Sequence, residues 1–115
     1  MQRTFVYLPS FDRLLARRQI ESEIEAEILK NPNAGSGVQG AGGIRKFRLK
    51  DVERSKGKRG GLRIFFLDLP TVSHTYLLWI LEKGESENLD REERKILKDL
   101  ADQIRKEWKH ENKVG

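Results

Sequence analysis

The hydrophobic period of this chain changes once, and the change falls across a glycine-rich segment, GSGVQGAGG, at residues 35–43. Before it, Phe11, Leu14 and Leu15, then Ile20, Ile24 and Ile28, recur at helical spacing with charge between them; after it, Phe47 and Leu49 alternate with Lys46, Arg48 and Lys50. Helical spacing gathers apolar side chains only if the backbone coils, and alternation sorts them onto one face only if it is extended. The chain is therefore α+β, and its 115 residues are enough for one core and too few for two.

Reading in order, Phe5 to Leu8 forms an opening strand closed by Pro9. Ser10 is placed to cap the first of two helices, with a bend near Ile20 to Ser22, and Asn31-Pro32 ends them because the residue before proline disfavours the α region. The segment from about 33 to 43 holds five glycines and reads as a mobile loop. Ile44 to Lys50 and the nearly all-apolar run Leu62 to Leu69 are two strands, the second covered on both faces, joined through SKGKRGG by a hairpin-type connection. Pro70 to Ser73 turns the chain into a third strand, Thr75 to Leu81, which completes an antiparallel meander. Asp90 with Glu93 three residues on is a capping-box start, and Ile96, Leu97, Leu100, Ala101, Ile104 and Trp108 form the apolar stripe of a C-terminal helix running to about Trp108. Residues 110–115 read as a frayed tail within this single domain of residues 1–115.

Charge is distributed unevenly. Residues 44–63 contain Arg45, Lys46, Arg48, Lys50, Arg54, Lys56, Lys58, Arg59 and Arg63 against Asp51 and Glu53, a local excess of seven positive charges in a chain whose net charge is +5. The remainder is thus slightly acidic, and the cations form a patch on one strand face and its turn, an electrostatic footprint for phosphate. Cations on a strand face also serve solubility and guard sheet edges. Arg63, opening an otherwise apolar strand, argues for an anionic partner, because a buried guanidinium without one is costly.

Other chemistries find little support. The absence of cysteine removes disulfides, thiolate metal sites and thiol nucleophiles, and fits a reducing cytoplasm. The N-terminal residues lack a basic segment followed by a long apolar core, so no signal peptide is expected, and the run Tyr76 to Leu81 is too short to cross a bilayer. Gly35, Gly37 and Gly40 satisfy GxGxxG, but helix precedes and strand follows, the reverse of a dinucleotide site. His74 and His110 read as isolated surface residues outside any metal-ligand pattern, and Glu82 and Glu85 as a solvated strand end. Neither a metal nor a cofactor is expected.

Metal-free RNA cleavage uses the ribose 2′-hydroxyl as nucleophile, so the site must remove its proton, neutralise charge on the phosphate and protonate the leaving 5′-oxygen. Lysines and arginines can supply all three: a lysine crowded by other cations is a better base, and guanidinium groups present paired donors to phosphate oxygens.

The order NP, glycine loop, GGIRKFR, GKRGGLRIFF, apolar strand, EKGESENL and helix resembles the RelE/HigB family of toxins from bacterial type II toxin-antitoxin systems, in particular its HigB-like branch. The resemblance runs from about Phe5 to the final helix, and GGIRK followed by GKRGGLR is its most specific part. It implies a RelE-like fold and a ribosome-dependent endoribonuclease, an mRNA interferase, held inactive by a neighbouring antitoxin, typically a helix-turn-helix protein. Carried over by position, Lys46 and Arg48 match the family's base and phosphate-stabilising positions, Arg63 its transition-state arginine, and Lys83 its basic position after the last strand. Arg45, Lys50, Lys56, Lys58 and Arg59 would contact substrate or ribosomal RNA. The chain departs from relatives that carry an aromatic, usually Tyr, just before that last basic position or near the C-terminus; the corresponding residues here are Leu81 and Glu82, and Tyr76 and Trp79 read as core. The alternative is a non-catalytic binder, either a basic RNA-binding module or a gyrase-directed, ParE-like toxin.

Overall fold

The computed structural model describes residues 3–16, 18–30, 35–38, 41–49, 61–82 and 89–114. Its elements are β1 (Thr4–Tyr7), α1 (Pro9–Leu15), α2 (Glu21–Lys30), β2 (Ser36–Gly37), β3 (Arg45–Leu49), β4 (Leu62–Leu69), β5 (His74–Glu82) and α3 (Arg91–Val114), with a 3-10 turn at Pro70–Val72. They form an α+β fold around one mixed sheet in the order β1-β5-β4-β3-β2. The meander β3-β4-β5 is antiparallel as its sequence predicts, but the sheet grows beyond it at both edges. At one edge β1 pairs with β5 in parallel, from Thr4 opposite His74 to Tyr7 opposite Leu77. At the other, the expected mobile loop supplies β2, antiparallel to β3.

Local chemistry explains most element boundaries. Pro9 is already the first residue of α1, where its fixed φ suits the helix and its missing N–H is not needed. Ser10 is therefore inside the helix rather than its cap, and its hydroxyl donates to the Leu78 carbonyl at 2.9 Å. The break between α1 and α2 comes at Ala16, which has a positive φ of 55°. At α3 the capping box is complete: the Glu93 N–H donates to the Asp90 carboxylate at 2.7 Å and the Asp90 N–H to Glu93 at 3.0 Å. α3 continues past Trp108 to Val114, through the segment expected to fray. The apolar stripe marks where the helix is packed, whereas its end is set by Lys- and Glu-rich sequence that is compatible with helix without packing.

The sheet separates two cores. On one face α1 and α2 bury Phe11, Leu15, Ile20, Ile24 and Ile28 against Phe47, Leu62, Ile64, Phe66, Leu77 and Ile80. On the other, Leu97, Ala101 and Ile104 of α3, with Leu89, Ala41 and Ile44, cover Phe65, Leu67, Leu78 and Leu81. β4 is buried on both sides as expected, and its pairing with β5 shifts register between Phe65 and Phe66. Phe65 opposes Trp79 and Phe66 opposes Leu77, so Leu78 is the extra residue of a bulge and joins the α3-side core. Tyr76 and Trp79 are partly buried against that same core. Among the described residues, no helix is long and apolar enough to cross a membrane.

Candidate phosphate-binding site

Alternation along β3 sends Phe47 into the α1/α2 core and leaves Lys46 and Arg48 on the opposite face, the face that α3 covers further along. Arg63 joins them from β4. The β3–β4 register places Arg48 directly opposite Arg63, and Lys46 opposite Phe65 one position along on the same face. Directly opposed residues of an antiparallel pair hold their Cβ atoms about 5 Å apart, and Lys46 lies roughly 7 Å along the strand from Arg48. The three cations line one shallow hollow of about 290 Å³ with Gly35 and Phe47. Arg48 is exposed, Lys46 and Arg63 half-buried, so the charges rise from a packed floor toward solvent.

Gly35 closes one side of this hollow by a contact open only to glycine. Its φ is +74°, and a Cβ built there would sit 1.8 Å from the Lys46 carbonyl oxygen. The segment thus presses onto β3, and Arg45 secures it by donating to the Gly35 carbonyl at 2.9 Å. Arg45 pairs with Phe66 and so belongs to the other face of the sheet from Lys46. It is thus placed apart from the hollow, where it holds the glycine segment. Two further described residues of the loop are anchored too: the Val38 N–H donates to the Ile44 carbonyl at 2.9 Å, and Ala41 is fully buried. Glycine content therefore signals close approach here as well as a turn. The first glycine of GxGxxG, next to a segment able to pair with β3, was the available sign.

Of the remaining candidates, Lys83, Lys50, Lys56, Lys58 and Arg59 lie outside the described residues, as does the hairpin-type connection that carries the last three. Glu82, expected at a solvated strand end, is ion-paired with Arg18, which also donates to the Leu14 carbonyl at 3.3 Å. It ties β5 to the α1–α2 connection. His74, expected as an isolated surface residue, starts β5 half-buried, its ring 4.8 Å from that of Trp108 and 6.2 Å from that of Tyr76. Trp108 Nε1 donates to the Tyr76 hydroxyl at 2.7 Å, so α3 is docked through this aromatic group. The ring of His110 lies outside the described residues.

Among the described residues, no three His, Asp or Glu side chains converge as a metal-holding group. The hollow itself offers two guanidinium forks for phosphate oxygens and, in Lys46, one amine able to exchange a proton. Compared with models of known protein families, the chain matches none.

Proposed function

We propose that this chain is the toxin of a bacterial type II toxin-antitoxin pair, with a RelE-like fold, acting in the cytoplasm as a metal-independent, ribosome-dependent mRNA endoribonuclease. The observation that supports it is the convergence of Lys46, Arg48 and Arg63 on one hollow, from the two strands whose sequences carry the RelE/HigB resemblance. In this reading the scissile phosphate sits between the opposed guanidinium groups of Arg48 and Arg63. Lys46 accepts the 2′-hydroxyl proton, the 2′-oxygen attacks phosphorus, and the 5′-oxygen departs with a proton to leave a 2′,3′-cyclic phosphate. Lys83 is the proposed acid by resemblance. The arginines neutralise the charge that develops on the phosphate oxygens. A helix-turn-helix antitoxin is the proposed inhibitory partner, the ribosome and mRNA the targets.

Programmed ribosomes incubated with the protein, followed by primer extension, test the reading. Defined mRNA ends are expected with the wild type, and a loss of about a hundredfold or more with folded Lys46→Ala or Arg63→Ala. Intact mRNA with the wild type, or unchanged cleavage by both variants, overturns it. Growth arrest that survives Arg63→Ala while mRNA stays whole would indicate the non-catalytic, RNA-tethering or gyrase-directed alternative.

A further inference from the structure

α3 is divided lengthwise into three sectors. At about 100° per residue, Leu97, Ala101, Ile104 and Trp108 form the buried stripe. On one side of it Arg91, Lys95, Lys98, Arg105, Lys106 and Lys109 fall within an arc of about 120°, with Asp102 the one acid among them and Arg94 at its border. On the other side lie Glu92, Glu93, Asp99 and Glu107 without a cation between them. A helix that only needs solubility mixes signs and gains a few tenths of a kcal/mol from each i,i+4 pair. On α3 such pairs are confined to Asp99 and Asp102, which stand four residues from Lys95 and from Lys98 and Lys106, while Arg91 is set against Lys95 and Arg105 against Lys109 at the same spacing. Among the described residues, Lys98 and Asp102 form an ion pair within the basic sector, at 3.3 Å.

Packing fixes the direction in which this sector points. Lys98, Asp102 and Arg105 lie against the turn at Gly42 and Gly43, whose φ values are +63° and +90°. A Cβ at Gly43 would meet the Arg105 guanidinium at 2.4 Å. That turn leads directly into β3, so the basic side of α3 lies beside the start of the strand that carries Lys46 and Arg48. Beside it runs an open trough of about 690 Å³ whose described lining is Asp99, Asp102, Gln103, Arg105, Lys106 and Lys109.

We infer that the basic side of α3 is a second RNA-backbone contact, continuing from the Lys46/Arg48/Arg63 hollow across the Gly42–Gly43 turn along about 27 Å of helix. The inference rests on the proposed RNA site and adds to it a track that carries affinity without chemistry. Its cations are mostly exposed lysines, which suit diffuse phosphate contacts rather than a single bidentate one.

The test measures binding of a short single-stranded 2′-O-methyl RNA, which has no 2′-hydroxyl to attack, across a salt series. The triple variant Lys95→Gln, Lys106→Gln, Lys109→Gln changes exposed residues to one of similar helix propensity and is expected to keep the wild-type circular dichroism. Its affinity is expected to fall about tenfold or more, and its log–log salt slope by about 0.7 for each phosphate that the track no longer neutralises. The Lys→Arg triple should bind as wild type, and Glu92→Gln with Glu107→Gln should not weaken binding. An unchanged slope and affinity in the Lys→Gln triple overturns the inference, and so does a loss of polyglutamate binding with RNA binding retained, which would assign the surface to an acidic protein. Weakening by Arg48→Ala and Arg63→Ala alone would leave the hollow and remove the track. Weakening by the lysine triple alone would keep the track and count against the hollow.

Discussion

Arg48 and Arg63 stand directly opposite each other across β3 and β4, on the same face of the sheet. An anion received between the two guanidinium groups can accept paired hydrogen bonds from both. Phosphate is therefore expected to raise the melting temperature more than chloride at equal ionic strength, and Arg48→Ala is expected to abolish that difference. Differential scanning fluorimetry in the two salts measures it. An equal response of wild type and variant would show that the arginines do not form a phosphate receptor.

The glycine segment supplies a sharper structural test, because two of its residues differ in what surrounds them. A Cβ at Gly35 would overlap the Lys46 carbonyl, in a backbone conformation that L residues seldom adopt, whereas a Cβ at Gly37 would have nothing within 4 Å. Gly35→Ala should cost about 1–3 kcal/mol and weaken phosphate binding through β3, while Gly37→Ala should stay within about 0.5 kcal/mol of wild type. Urea denaturation with a phosphate titration separates them. Equal effects of the two substitutions would mean that the Gly35 contact does not shape the site.

How much of this was legible in the sequence depends on the range of the interaction concerned. The cationic face of β3 follows from alternation within five residues, and the α3 start from the Asp90/Glu93 spacing, so both were readable. The opposition of Arg48 and Arg63 was not, because register is set jointly by the β3–β4 connection and by packing on both sheet faces. Glycine count indicated turns at 35–43, but the pressing of Gly35 onto Lys46 depends on a strand ten residues away. Glu82 looked solvated because its partner, Arg18, comes from the other end of the chain. The charge sectors of α3 are visible at helical spacing, yet only the contact of Arg105 with Gly43 says which side they face.

The Arg18–Glu82 pair is partly shielded, with side-chain exposures of 16% and 29%, so its removal should be felt in stability rather than chemistry. Glu82→Gln is expected to cost about 1 kcal/mol, at the upper end for such a pair, and to leave mRNA cleavage on ribosomes unchanged. Thermal unfolding and primer extension on one preparation read both. A loss of cleavage with stability retained would instead place Glu82 in the reaction.

A pH dependence is expected at the opposite edge of the sheet. The Tyr7 hydroxyl donates to the Glu25 carboxylate, and burial first, then that hydrogen bond and the nearby carboxylates, push the phenol well above its ordinary value of about 10. Since the folded state holds this proton more tightly than the unfolded chain, its stabilisation is fully present below about pH 10 and is lost as pH rises toward the folded-state value. Tyr7→Phe should cost about 1 kcal/mol near neutral pH, and the gap from wild type should narrow above about pH 10 because the variant has no proton to lose there. Urea denaturation at the two ends of that range provides the measurement. A gap that stays constant would show that the Tyr7–Glu25 bond does not link folding to protonation.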